Sequence, residues 1–373
     1  MNTIDPLQLQ ESSLRQLERE SRLMYPPASS SPAWVHNHLN STTDYEYETE
    51  DDLYIITKSI NHWMEEANMR PVPRMLFGKL WYEGELCILF ADSNVGKSIL
   101  AVQIGNAINA GITMHPFTVE AENQTVLYCD FELTDKQFEA RYSDNYTNHY
   151  RFKPNFYRAE INPDDSELPP GFTTADEFLN ASIERTIVQS RAKVIIIDNL
   201  TYLRTETEQA KEASPLMKHL KALKNRYNLS ILVLAHTPKR DASQPISRND
   251  LQGSKMLMNF CDSAFTIGES QADKSLRYIK QIKQRNTEQV YGGDNVCLCQ
   301  IVKPDNFLQF DFVSYGREWD HLQRDKNEAR EKLTEEVLAL HHEGRSLREI
   351  GKQLGIPFQR VDRLLKAAKK DGQ

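Results

Sequence analysis

The loop Ala91-Asp92-Ser93-Asn94-Val95-Gly96-Lys97-Ser98-Ile99 lies between an apolar run, Leu86 to Phe90, and a helical pattern, Leu100 to Ile104. Its residue types suit an anion. Backbone N–H groups of such a loop, and of the helix that follows, wrap a phosphate. Gly96 has no Cβ to hold the backbone away from it. Lys97 would place a cation on the β- and γ-phosphates, and Ser98 a hydroxyl on Mg²⁺. The pattern is G-x-x-x-x-G-K-[ST] with Ala91 at the first glycine, a place that a small residue fills if its φ stays negative. The strand before and the helix after are the context that separates this motif from a chance Gly-Lys-Ser. Residues 91–99 are therefore expected to bind ATP with Mg²⁺.

Hydrolysis asks for more: a metal ligand, a group that orients water, and positive charge for the transition state. Asp198 closes the very apolar run Val194-Ile195-Ile196-Ile197, which suits an acidic group near Mg²⁺ at the carboxyl end of a strand. A second apolar strand, Thr125 to Cys129, ends in Asp130-Phe131-Glu132. It is expected beside the loop strand. Either carboxylate could polarise a water, and the residues by themselves leave that choice open.

These groups need a scaffold. From Met75 onward apolar strands alternate with helical stretches, which predicts an α/β fold with a mostly parallel sheet covered on both faces. The later strands are expected at 263–267, 276–284, 296–301 and 307–312. Before the core, residues 1–52 are polar and then acidic. They are read as a disordered arm with one early helix, Leu7 to Leu23. Residues 53–74 read as a helix and linker, with Trp63 and Met64 on a core-facing stripe. The core spans 75–315, with an irregular stretch at 144–172, and a helical tail spans 316–373.

The chain has 373 residues and a formal net charge of −8, so a uniformly basic surface is excluded while a local basic patch is not. No apolar run reaches the length of a membrane span, and the start has no signal-peptide pattern. Five scattered cysteines, with Cys297-x-Cys299 read as strand alternation, fit a reduced cytoplasm.

Several segments resemble DnaB-type hexameric helicases. Phe131-Glu132-Leu133, followed by Arg141 nine positions after the glutamate, is similar to their catalytic-glutamate segment. The resemblance implies that Glu132, and not Asp130, is the catalytic base. Leu232 to Lys239 is similar to the strand ending in a polar γ-phosphate sensor, and His236 resembles the histidine of RepA-type plasmid helicases. Asp250 to Lys255 and Cys261-Asp262-Ser263 resemble a region that faces single-stranded DNA in the channel of the ring. Lys283-Gln284-Arg285-Asn286 resembles the strand whose Lys and Arg enter the neighbouring subunit's ATP site, where a cation stabilises the transferring phosphoryl group. A solvated basic strand edge is the other reading of these residues. The resemblance covers about 72–312. It implies a RecA-like core, a homo-oligomer with a hexameric ring as its expected form, and a helicase-like or replication-linked role on a plasmid or mobile element. An ATP-switched DNA-binding regulator that does not unwind strands is the alternative.

The tail resembles a trihelical helix-turn-helix. Ser346 and Glu349 form a capping box, Ile356-Pro357 a turn, and Leu347, Ile350, Leu354, Ile356, Val361 and Leu365 a small core. Gln359, Arg360, Arg363 and Lys366 are expected on the outer face, to contact duplex DNA. Arg345, Lys369 and Lys370 add positive charge.

Overall fold

The computed structural model describes residues 55–121, 123–162, 168–200, 213–251, 254–323 and 326–371. The arm 1–52 with its early helix lies outside them. The chain divides into two compact units after Pro71. The described part of the first holds one helix, α1 (Ile60–Asn68), capped by the Ser59 hydroxyl, which accepts from the His62 N–H at 3.2 Å. None of its residues is buried, which corrects the expected core-facing stripe: Trp63 and Met64 are exposed. Periodicity gives a helix one apolar face but does not supply the surface that would cover it.

The second unit is built on strands β1 (Met75–Phe77), β2 (Trp81–Tyr82), β3 (Leu86–Ala91), β4 (Val126–Asp130), β5 (Ser143–Asp144), β6 (Asn148–His149), β7 (Phe156–Ala159), β8 (Val194–Asp198), β9 (Ser230–His236), β10 (Ser263–Glu269), β11 (Leu276–Lys283), β12 (Val296–Val302) and β13 (Gln309–Gly316). Nine of them form one sheet in the order β13-β12-β11-β10-β3-β9-β8-β4-β7. The six from β10 to β7 run parallel, and β11 to β13 extend them antiparallel. The helices are α2 (Lys97–Ala110), α3 (Asp135–Arg141), α4 (Ala175–Ser190), α5 (Ala213–Tyr227) and α6 (Ser254–Phe260).

Strand alternation sorts β3 into two cores. Cys87, Leu89 and Ala91 pack with Leu100, Ala101 and Ile104 of α2 on one face. Leu86, Ile88 and Phe90 pack with Ile183 and Ile187 of α4 and Met217 and Leu220 of α5 on the other. The mostly parallel, doubly covered sheet is as expected. The neighbour of β3 is not: β9 and β8 stand between β3 and β4. The chain leaves β3, skips two places, and fills them later. Sequence order does not encode that skip, but it leaves a crevice at the carboxyl ends of the strands.

All five cysteines are buried and free, and burial pushes the Cys129 and Cys299 thiols up to about 12. Cys297 and Cys299 point into one core from β12. The tail comprises α7 (Lys326–His342), α8 (Leu347–Gln353) and α9 (Phe358–Asp371). Val337, Ile350, Val361, Leu364 and Leu365 form its core. A Cβ on Gly351 would stand 2.7 Å from the Ile356 carbonyl oxygen, so glycine is what lets the turn close on α8.

Candidate active site

The loop from β3 to α2 turns at Asn94 (φ 62°) and at Gly96 (φ 105°), the N-cap of α2. A Cβ on Gly96 would lie 2.8 Å from Ile301 Cδ1 and 2.9 Å from the Phe310 ring, so β12 and β13 press on the loop from outside. Ala91 is the buried last residue of β3 and is not among the residues with positive φ, as a non-glycine residue at this place requires. Asp92, Ser93 and Asn94 are exposed, Val95 is buried, and Ser98 and Ile99 are half-buried in the first turn of α2.

Lys97 is buried, and its ammonium donates to the Ala91 and Asp92 carbonyls at 3.0 and 2.8 Å. Burial lowers its pKa, and Asp198, Glu132 and Asp92 pull the other way. Register pairs Ala91 with His236, and His236 Nδ1 lies 3.2 Å from the Lys97 ammonium. An ammonium only donates, so in this contact Nδ1 accepts. His236 Nε2 is 3.3 Å from Glu132 Oε1. The contact with His236 is the main reason that the Glu132 carboxyl is held below its ordinary range.

The two carboxylates after β4 have different surroundings. Asp130 is buried, paired with Arg158 Nε at 2.9 Å, and accepts the N–H groups of Glu132 and Leu133 at 3.2 and 3.0 Å. Its lone pairs are committed to holding the turn. Glu132 is part-exposed and faces the crevice, reaching His236 across the end of β8 although β4 is not adjacent to β3.

Asp198 is paired in register with Asp130 and fully buried. Tyr128 donates its hydroxyl to Asp198 Oδ2 at 2.7 Å, while Oδ1 has no hydrogen-bond partner. Burial raises this carboxyl to about 6, against the opposing pull of Ser98 and Tyr128. A buried, orphaned carboxylate oxygen beside Ser98 suits a hydrated Mg²⁺. Among the described residues no group of three or more His, Cys, Asp or Glu could hold a metal ion.

Sequence reasoning misses three residues of the site. Asn199 donates its amide to Glu132 Oε1, and the same nitrogen is 3.0 Å from His236 Nε2. The Thr237 hydroxyl donates to Asp92 Oδ1, and Arg240 Nε stands 3.6 Å from Asp92 Oδ2. Asn199 and Thr237 each follow directly on a residue that the sequence marks, Asp198 and His236, and that adjacency is the available signal.

Lys283 and Arg285 are not brought to this crevice. β11 is antiparallel to β10, and Lys283 pairs with Ala264, at the opposite end of the sheet. There Lys283 donates to the Met258 carbonyl and, at 2.7 Å, to that of Cys261. Arg285 donates to the Asn259 carbonyl at 3.0 Å and to Asp262 Oδ1 at 3.3 Å. Gln252 and Gly253, in the stretch expected to face DNA, lie outside the described residues, as do the side chains of Ser254 and Lys255. In the tail Gln359, Arg360, Arg363 and Lys366 are all exposed, with Lys366 paired to Asp362 at 2.8 Å. The side chains of Lys369 and Lys370 lie outside the described residues.

A family model described as an AAA domain matches residues 58–242. Over these residues the chain is similar to an AAA domain. The match takes in residues 91–99, Glu132, Asp198 and His236 and supports a nucleotide-binding ATPase, and the mostly parallel sheet is that of a RecA-like P-loop core. The matched segment stops before β10, so β10 to β13, with Lys283 and Arg285, and the tail lie beyond the match. No curated protein matches the chain. Among the described residues no helix is long and apolar enough to cross a membrane.

Proposed function

We propose that the chain couples ATP hydrolysis to work on DNA, as a helicase-like or replication-linked motor of a plasmid or mobile element. The observation that carries the hydrolytic part is one chain of contacts, Lys97 to His236 at 3.2 Å and His236 to Glu132 at 3.3 Å. It joins the phosphate-binding lysine to a carboxylate that is not committed to backbone. Lys97 and the N–H groups of residues 92–99 hold the triphosphate. Ser98 and Asp198 hold Mg²⁺, which supplies charge neutralisation on the phosphate oxygens. Glu132 accepts the proton of the attacking water. His236 touches both Lys97 and Glu132, so a γ-phosphate that draws Lys97 off its carbonyls also changes what Glu132 touches.

The DNA part rests on the resemblance to DnaB- and RepA-type proteins and on the exposed Gln359, Arg360, Arg363 and Lys366 of α9. Single-stranded DNA would pass through the ring and duplex DNA would meet the tail. Lys283 and Arg285 lie far from their own phosphate loop, as residues that complete a neighbour's site would.

Steady-state ATP hydrolysis with and without single-stranded DNA tests the motor. DNA should stimulate turnover, and Glu132→Gln should lower kcat about 10²–10⁴-fold with nucleotide binding retained. No turnover in the wild type would overturn it. Arg285→Ala should abolish hydrolysis while sparing ATP binding, and loss of both would count against delivery to a neighbour.

One observation favours the alternative of an ATP-switched DNA-binding regulator. Glu132 is held by Asn199 and His236, while Lys283 and Arg285 are held by carbonyls of their own chain. Such a resting state suits slow turnover. A forked duplex that is bound but never separated would support this second reading.

A further inference from the structure

The phosphate loop carries a negative charge of its own. Asp92 is its second residue, and its backbone carbonyl already accepts from Lys97 at 2.8 Å. A carboxylate turned toward the same ammonium would compete with the triphosphate for it, and would repel the phosphates as well. The side chain is turned elsewhere. Asp92 Oδ1 accepts from the Thr237 hydroxyl, and Oδ2 faces Arg240 Nε at 3.6 Å, an ion-pair distance rather than a hydrogen bond.

The partner is built for this. The Arg240 side chain is only 10% exposed, and its Nη1 donates to the carbonyls of Asp241 and Gln244 at 3.3 and 3.0 Å. Those bonds, with a contact to the Tyr278 hydroxyl of β11, fix the guanidinium, and Nε faces the loop. Thr237 is anchored as well, since its N–H donates to the Ala91 carbonyl at 3.2 Å. Both groups therefore come from one segment, the continuation of β9 that follows His236.

We propose that Arg240 is a positioning residue for nucleotide binding: with Thr237 it holds the Asp92 carboxylate against the segment after β9 and clear of the phosphates. This rests on the reading of residues 91–99 as an ATP site and adds a determinant of its affinity. Arg240 contacts Asp92, the Tyr278 hydroxyl and carbonyls of its own turn. It acts on the loop's own charge, and removing that charge should remove the need for it.

The test is a double-mutant cycle read as the affinity for a fluorescent, non-hydrolysable ATP analogue with Mg²⁺. Arg240→Gln keeps the bulk of the side chain and removes its charge, and should weaken binding about tenfold. Arg240→Lys keeps the charge and should stay within about threefold of the wild type. Asp92→Asn should bind about two- to threefold more tightly than the wild type, and adding Arg240→Gln to it should cost less than about twofold. The penalty of Arg240→Gln should also shrink as salt is raised, because Asp92 is half exposed and screened. Thermal melts check that each variant is folded. An equal penalty for Arg240→Gln with and without the Asp92→Asn change would reduce Arg240 to a structural role and overturn the proposal, as would unchanged binding in Arg240→Gln. Failure of the wild type to bind the analogue would instead overturn the nucleotide site on which it rests.

Discussion

At the two ends of the parallel strands, the pair Glu85 and Asp262 and the single Asp198 are held in opposite ways. At the amino end, Glu85 accepts from the Tyr82 N–H at 3.0 Å, the Ser263 hydroxyl at 2.7 Å and the Asn286 amide at 2.6 Å. Beside it Asp262 accepts the Leu86 N–H at 3.0 Å and pairs with Lys224 at 3.2 Å and Arg285 at 3.3 Å. At the carboxyl end, Asp198 is buried more completely, yet one of its oxygens has no partner. A saturated cluster holds strands together, whereas an unsaturated one is poised for a ligand. Asp130, beside Asp198, is as saturated as the pair at the amino end, so the unpartnered oxygen marks one position for a ligand rather than a whole end of the sheet.

The largest effect should come from breaking the saturated pair. Asp262→Ala leaves the Leu86 N–H unpaired and Lys224 with the Gly84 carbonyl but no counter-charge, and should cost about 3–4 kcal/mol in urea unfolding. Asp198 should respond with the opposite sign. Burial raises its pKa to about 6. A carboxyl raised in the folded state costs nothing below its unfolded pKa near 4, and its ionisation opposes folding as pH rises from there through about 6. Nucleotide-free protein should thus lose about 2–3 kcal/mol of stability over that window from this group. Asp198→Asn should flatten that slope and melt higher at a pH of about 7.5, while losing Mg²⁺-dependent hydrolysis. Should Asp198→Asn destabilise as Asp262→Ala does, the two positions would not differ in kind. The smallest effect belongs to Gly96→Ala, where positive φ and the contacts with Ile301 and Phe310 should cost about 1–2 kcal/mol by urea unfolding, with nucleotide affinity lost alongside.

Much of this site is legible in the sequence because local chemistry announces it. A glycine, a lysine and a serine between a strand and a helix have few other uses, and an Asp closing four β-branched residues marks a strand end. The choice between Asp130 and Glu132 is legible only by resemblance, since what separates them is Arg158, which comes from β7. Asn199, Thr237 and Arg240 carry no motif and become visible only once β8 and β9 stand beside the loop. The place of β4 in the sheet and the exposure of Trp63 escape the sequence for one reason. Both depend on which surfaces meet, and periodicity reports only that a surface exists.

The pressure of Phe310 and Ile301 on Gly96 also bears on the order in which the protein matures. Every group proposed to act on ATP within one subunit has been synthesised by residue 240, yet the wall behind the phosphate loop comes from strands that emerge some sixty to seventy residues later. Contacts of such long sequence separation form late and are costly to close. During synthesis the chain therefore passes through a stage with its chemistry written and its loop unsupported. A chain cut before β12 should accordingly hold ATP more weakly than the full chain, because its loop lacks the wall of Ile301 and Phe310.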